Sequence, residues 1–131
     1  MIQPESHRSM IETLLAKHGL GKDVLEFPVD LCERAAELGH REDNPFRMAK
    51  SIGLKNGRKY ILIAQTIGVD QIQSVKDSMR RNGFKAEVEN LRSDLDFLKH
   101  LVLHEVATFV LNTAAQEIRD RWAFEQLSDS G

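Results

Sequence analysis

One cysteine, three prolines, one tryptophan and one tyrosine among 131 residues exclude several classes of protein at once. Cys32 stands alone, so no disulfide can close within the chain, and a small scaffold held by cross-links is ruled out. Placed in an expected helix, Cys32 reads as a small buried apolar residue. No apolar run is long enough to cross a bilayer. The opening residues Met1-Ile2-Gln3-Pro4-Glu5 have neither the basic nor the apolar region of a secretory signal, so a cytoplasmic protein is expected. Neither sign of charge dominates. The 18 basic and 20 acidic side chains are interspersed and sum to −2, so no nucleic-acid or membrane surface is expected. The eight glycines are scattered at turns and make no phosphate-binding loop, and no serine has a G-x-S-x-G setting.

What is present is a core and a clear order of elements. With 41% hydrophobic and 29% charged residues, the chain can bury one domain's interior and stay soluble. Residues 5–18 carry a helical stripe of Met10, Ile11, Leu14 and Leu15, ended by Gly19 and Gly21. Residues 1–22 thus read as an N-terminal helical extension of a single domain spanning 1–131. Val24–Phe27 reads as a short strand. Asp30, with Glu33 three residues on, caps a helix that closes at Gly39, and residues 40–48 form a loop. Residues 50–64 read as a hairpin about Asn56-Gly57, the favoured pair for a type I′ turn, and Tyr60–Ile63 is apolar enough for both faces to be covered. Asp70 with Gln73 opens a helix to Asn82-Gly83, and the alternation of Phe84, Ala86 and Val88 fits a short strand or a loop. Ser93 or Asp94 caps a largely apolar helix over 94–111, with Leu95, Leu98, Val102 and Phe109 among its inward residues. Thr113 and Gln116 have capping-box spacing for a last helix over 114–127 with Ile118, Trp122 and Leu127 inward, before a frayed tail at 128–131. The fold class expected is α+β: a small sheet packed on a helical layer, with the 94–111 helix central.

The chemistry lies in that central helix. His104-Glu105-Val106-Ala107-Thr108 matches HExxH except at its last position. HExxH works because histidines four apart share a helix face and hold zinc while the glutamate activates a bound water. Here the second imidazole is a threonine. His100, four residues before His104, offers another imidazole on the same face. A His100–His104 pair completed by Glu117 would make a shifted metal site, with Glu105 then following the second ligand rather than the first. Each residue also has a plainer role. His100 near a helix start can be solvated, Thr113 and Gln116 can serve capping alone, and Glu117 suits a first helical turn.

Three segments together resemble the ImmA/IrrE family of metallopeptidases. They are Pro28-Val29-Asp30-Leu31 running on to Leu38-Gly39, the strand Lys59–Ile63, and His104–Thr108 followed by Asp120-Arg121-Trp122-Ala123. The resemblance covers residues 26–127 and does not account for 65–93. It implies a zincin-like fold, zinc as cofactor, His104 as first ligand and Glu105 as the catalytic base. Thr108 and Gln116 stand at substituted ligand positions, Glu117 lies one residue off the third, and Asp120 matches an aspartate that orients a ligand histidine. With ligands replaced, zinc binding should weaken by orders of magnitude. The function expected is therefore a degenerate, phage- or mobile-element-linked regulatory domain that binds a protein partner such as a transcriptional repressor. An active zinc peptidase cleaving such a repressor, and a phage-type inhibitor or antitoxin-like binding protein, are the alternatives.

Overall fold

The computed structural model describes residues 1–113 and 115–130 and shows an α+β fold. In chain order it contains α1 (Arg8–Lys17), β1 (Leu25–Glu26), α2 (Leu31–Glu37), β2 (Ala49–Gly53), β3 (Lys59–Ile63), α3 (Val69–Arg81), α4 (Lys85–Glu89), α5 (Asp94–Val110) and α6 (Gln116–Ser130). Short 3-10 turns precede α1 and β1.

The sheet has the order β1-β3-β2, with β1 parallel and β2 antiparallel to β3. The strand β3 is central and covered on both faces, as its continuous apolar run predicts. Ile61 and Ile63 enter the main core, while Tyr60 and Leu62 face a second cluster with Leu31 and Ala35 of α2 and Ile52 of β2. Asp30 caps α2 by accepting from the Glu33 N–H at 3.0 Å. Cys32 is only half-buried, and its thiol donates to the Asn44 carbonyl at 3.3 Å.

The hairpin turn is not type I′. That type needs positive φ at both central residues, and among the described residues Asn112 alone of the non-glycines has it. Lys55, Asn56 and Gly57 instead make a three-residue loop. Gly57 N–H donates to Leu54 O at 3.0 Å, Gly57 takes φ 89°, and Leu54 N–H returns to Arg58 O at 2.8 Å. The Asn56 side chain accepts from Arg58 N–H at 2.9 Å, fixing the turn without itself entering the left-handed region.

Helix α5 is the middle of the molecule, with Leu98, Val102 and Val106 fully buried. It packs on α6, β2 and α1, and α1 sinks Ile11 and Leu15 into the same core. Ser93 caps α5 by accepting from Asp96 N–H at 3.1 Å. Leu95, expected inward, is exposed in the first turn.

Three local expectations are corrected. Helix α3 starts at Val69, and Gln71 rather than Gln73 supports its start, accepting from Gly68 N–H at 2.7 Å. Residues 85–89 form a helical turn, not a strand or loop, because Phe84 and Val88 reach the core at helical spacing. The last helix has no Thr113–Gln116 box: the Thr113 hydroxyl accepts from Ala115 N–H at 3.2 Å, and the helix runs to Ser130 without a frayed tail. Ala114, where that helix was expected to open, and Gly131 lie outside the described residues. Ile118 is exposed, whereas Trp122 and Leu127 pack on the core as expected, and the most deeply buried residues of the helix are Asp120, Ala123 and Phe124.

Candidate metal centre

Helices α5 and α6 place three ionisable side chains at one point. His100 and His104 lie one turn apart on α5, and Asp120 faces them from the first turns of α6. A single oxygen of Asp120, Oδ1, lies 3.0 Å from His100 Nε2 and 2.8 Å from His104 Nδ1. His100 is buried against the Phe124 ring, at 4.1 Å between centroids.

The protons follow from the charges. Burial alone would raise the Asp120 pKa, but hydrogen bonds from both imidazoles and their positive charge outweigh it and hold the carboxyl at about 2. Asp120 is therefore ionised at neutral pH, and each ring nitrogen facing it must donate. Burial pushes the His100 pKa down despite Asp120, so His100 stays neutral. Burial also pulls on His104, but its hydrogen bond to Asp120 and the charges of Glu105 and Asp120 win, and its pKa rises.

The second nitrogens differ in setting. His104 Nε2 makes no hydrogen bond among the described residues, and His104 lines a cleft of about 290 Å³. Among the described residues His100 Nδ1 is buried with no partner, as is the Thr108 hydroxyl one turn beyond His104.

His100, His104 and Asp120 lie close enough to hold a metal ion, with one ligand atom from each within 4.8 Å of the others. Tetrahedral zinc with bonds of about 2.0–2.1 Å would set its ligand atoms about 3.3 Å apart. The observed 2.8 and 3.0 Å are hydrogen-bond lengths. A metal at this point requires each imidazole to move its proton to the other nitrogen. For His100 that proton would sit on a buried Nδ1 with no acceptor, a cost of about 1–3 kcal/mol. The set fits a divalent ion in its donor chemistry and resists one in its proton placement.

The remaining candidates fall apart in space. Glu117 is exposed and outside the cluster, so Asp120 takes the place expected of it. Gln116 is also exposed, though it lines the cleft rim. Glu105 lines the same cleft but is tied to the sheet, its Oε1 lying 2.8 Å from the Ser51 hydroxyl, which is also 2.9 Å from the Glu105 carbonyl. At 3.6 residues per turn, the glutamate of HExxH lies about 60° around the helix from its nearer ligand, whereas beside a His100–His104 pair it lies about 100° away.

Sequence reasoning missed the other wall. Val75, Ser78 and Met79 of α3 and Asn82 just after it line the cleft, so the segment left unexplained by the family pattern helps build the site. Ser51 was missed too, and its signal was the alternation Ala49-Ser51-Gly53 on the face of β2 that meets α5. No family model, curated protein or solved structure matches the chain.

Proposed function

We propose that this chain is a zincin-like regulatory domain of the ImmA/IrrE type that acts by binding a protein partner, a repressor or a comparable regulator, rather than by hydrolysing it. The observation that carries this reading is the internal use of the polar groups a hydrolase would keep free. Asp120 is spent on both histidines, and Glu105 is spent on Ser51. Thr108 supplies no imidazole, and Glu117 lies outside the cluster. A single imidazole, His104 through Nε2, remains open to the cleft, and one ligand does not hold zinc against water.

A second reading has its own support. The three convergent side chains suit a divalent ion, zinc by donor type, and a protein-bound zinc would supply a water of lowered pKa for hydrolysis. In that reading His100, His104 and Asp120 hold the ion and Glu105 accepts a proton after release from Ser51. The deciding experiment is the metal content of untagged protein after incubation with zinc and dialysis, beside His104→Ala. Well under one zinc per chain is expected. One zinc per chain that disappears in the variant would overturn the non-catalytic reading, and loss of hydrolysis in Glu105→Gln with zinc retained would establish the peptidase.

A further inference from the structure

Two hollows meet at Arg47. It lines the cleft that holds His104 and Asp120, and it also lines a groove of about 460 Å³ walled by Pro28, Val29 and Pro45. The arginine is held from behind. Its Nε donates to Glu42 Oε1 at 3.1 Å, and the Glu42 side chain, only 8% exposed, is itself fixed by Lys50 Nζ at 3.0 Å and by the Asn44 N–H at 3.0 Å. Burial opposes ionisation of Glu42, but the Asn44 N–H, Lys50 and Arg47 outweigh it and keep the carboxyl below its usual pKa. The two terminal nitrogens of Arg47 make no hydrogen bond among the described residues, and the side chain is 41% exposed. Lys50, the other cation of this network, is spent on Glu42.

Apolar surface lies on both sides of this cation. On the cleft side stands half-buried Val75, with Met79 and Phe97 buried beneath the lining. On the groove side Val29 is 92% exposed, and Phe46, next to Arg47 in the chain though outside the groove lining, is 71% exposed. One oriented guanidinium with its fork unspent matches one carboxylate, whereas a phosphate polymer would call for several free cations. Because Arg47 borders both hollows, a clasped carboxylate has room for chain on either side, which favours an acidic residue inside a segment over a chain terminus.

We infer that the Arg47 ridge is the recognition site for an extended segment of a partner protein that carries an aspartate or glutamate between apolar residues. The inference rests on the partner-binding reading above and names the chemistry of that partner.

The test uses the full chain and a phage-displayed library of random peptides, followed by fluorescence anisotropy with synthetic, C-terminally amidated versions of the selected sequences. Selected peptides should share an acidic residue with apolar neighbours. Arg47→Ala should weaken them at least tenfold while circular dichroism shows the fold retained, the broken Glu42 pair lowering the melting temperature only modestly because Lys50 and the Asn44 N–H still hold that carboxylate. Acid-to-amide replacement in the peptide should do the same, with little further loss when both changes are combined. Arg47→Lys should not restore full affinity, because an ammonium cannot replace a fork. Selected peptides without an acidic residue, or ones that bind Arg47→Ala as tightly as the parent, would refute this ridge while leaving partner binding itself intact. Failure to select any peptide would refute the inference, and zinc retention would still report separately on the reading beneath it.

Discussion

Replacing Asp120 with asparagine removes one charge from the point where α5 and α6 meet and leaves the shape almost unchanged. The native carboxyl is held at about 2 against an ordinary 3.8, which stabilises the fold at neutral pH by roughly 2 kcal/mol. Its side chain is 11% exposed, so solvent screens little of this. An asparagine oxygen can still accept from the imidazole N–H groups but without the charge that strengthens both bonds, so the expected loss at pH 7 is about 2–4 kcal/mol. The pH profile is the sharper signature. A depressed carboxyl stabilises above its unfolded pKa and loses that contribution as pH falls from about 4 to about 2, so the parent should show this acid limb and the variant should not. His104 behaves in the opposite sense. Its raised pKa gives stability that is present below the ordinary 6.5 and lost as pH climbs through the folded value. Without Asp120, burial governs His104, and the gap between parent and variant should widen from pH 8 to pH 5. Urea unfolding followed by circular dichroism from pH 8 to about pH 2, with a chelator present, measures both. A variant within about 0.5 kcal/mol of the parent at pH 7, or one with the same acid limb, would show that Asp120 does not bind the two histidines as described.

Thr108→Val should be neutral or stabilising by up to about 1 kcal/mol in thermal unfolding, because the hydroxyl it removes is buried with no partner; a loss above about 1 kcal/mol would mean that the hydroxyl is satisfied. Glu117→Ala should leave any zinc or cobalt affinity unchanged within a factor of two by titration, whereas His100→Ala should abolish whatever binding exists. Leu98→Ala, at a fully buried position of α5, should cost about 2–5 kcal/mol by urea denaturation, and a cost below about 1 would place α5 outside the core.

Much of the fold is legible in the chain because its signals are local and mutually consistent. Asp30, Ser93 and the apolar run at 60–63 each specify structure within a few residues, and each is used as the pattern implies. The errors fall where the deciding contact is distant or the element is short. One turn of helix at 85–89 cannot display a 3.6-residue period, so Phe84 and Val88 look like alternation. The inward face of α6 differs from the expected stripe at one position: Trp122 and Leu127 pack on the core, while Ile118 is exposed. The helix also turns Asp120, Ala123 and Phe124 inward, spending a buried position on a charge because two imidazoles across the interface receive it. Glu117 enters the expected site, and Asp120 its supporting part, from spacing in the family pattern; the helix places Asp120 in the cluster and leaves Glu117 exposed. The cluster was legible in its α5 half, where the spacing of His100 and His104 needs no tertiary information, and not in its α6 half.

The packing of α1 against α5 carries a consequence for how the molecule is made. Ile2 bridges Ile67, and Ile11 and Leu15 are sealed into a core whose other side is supplied by residues 94–110. On a ribosome, the first helix must wait for most of the chain to emerge before its apolar face is covered. Such long-range closures slow folding relative to a bundle of sequential neighbours. Nascent chains halted before α5 should therefore be the species most prone to aggregate and most dependent on chaperones, with Ile11 and Leu15 as the exposed sites.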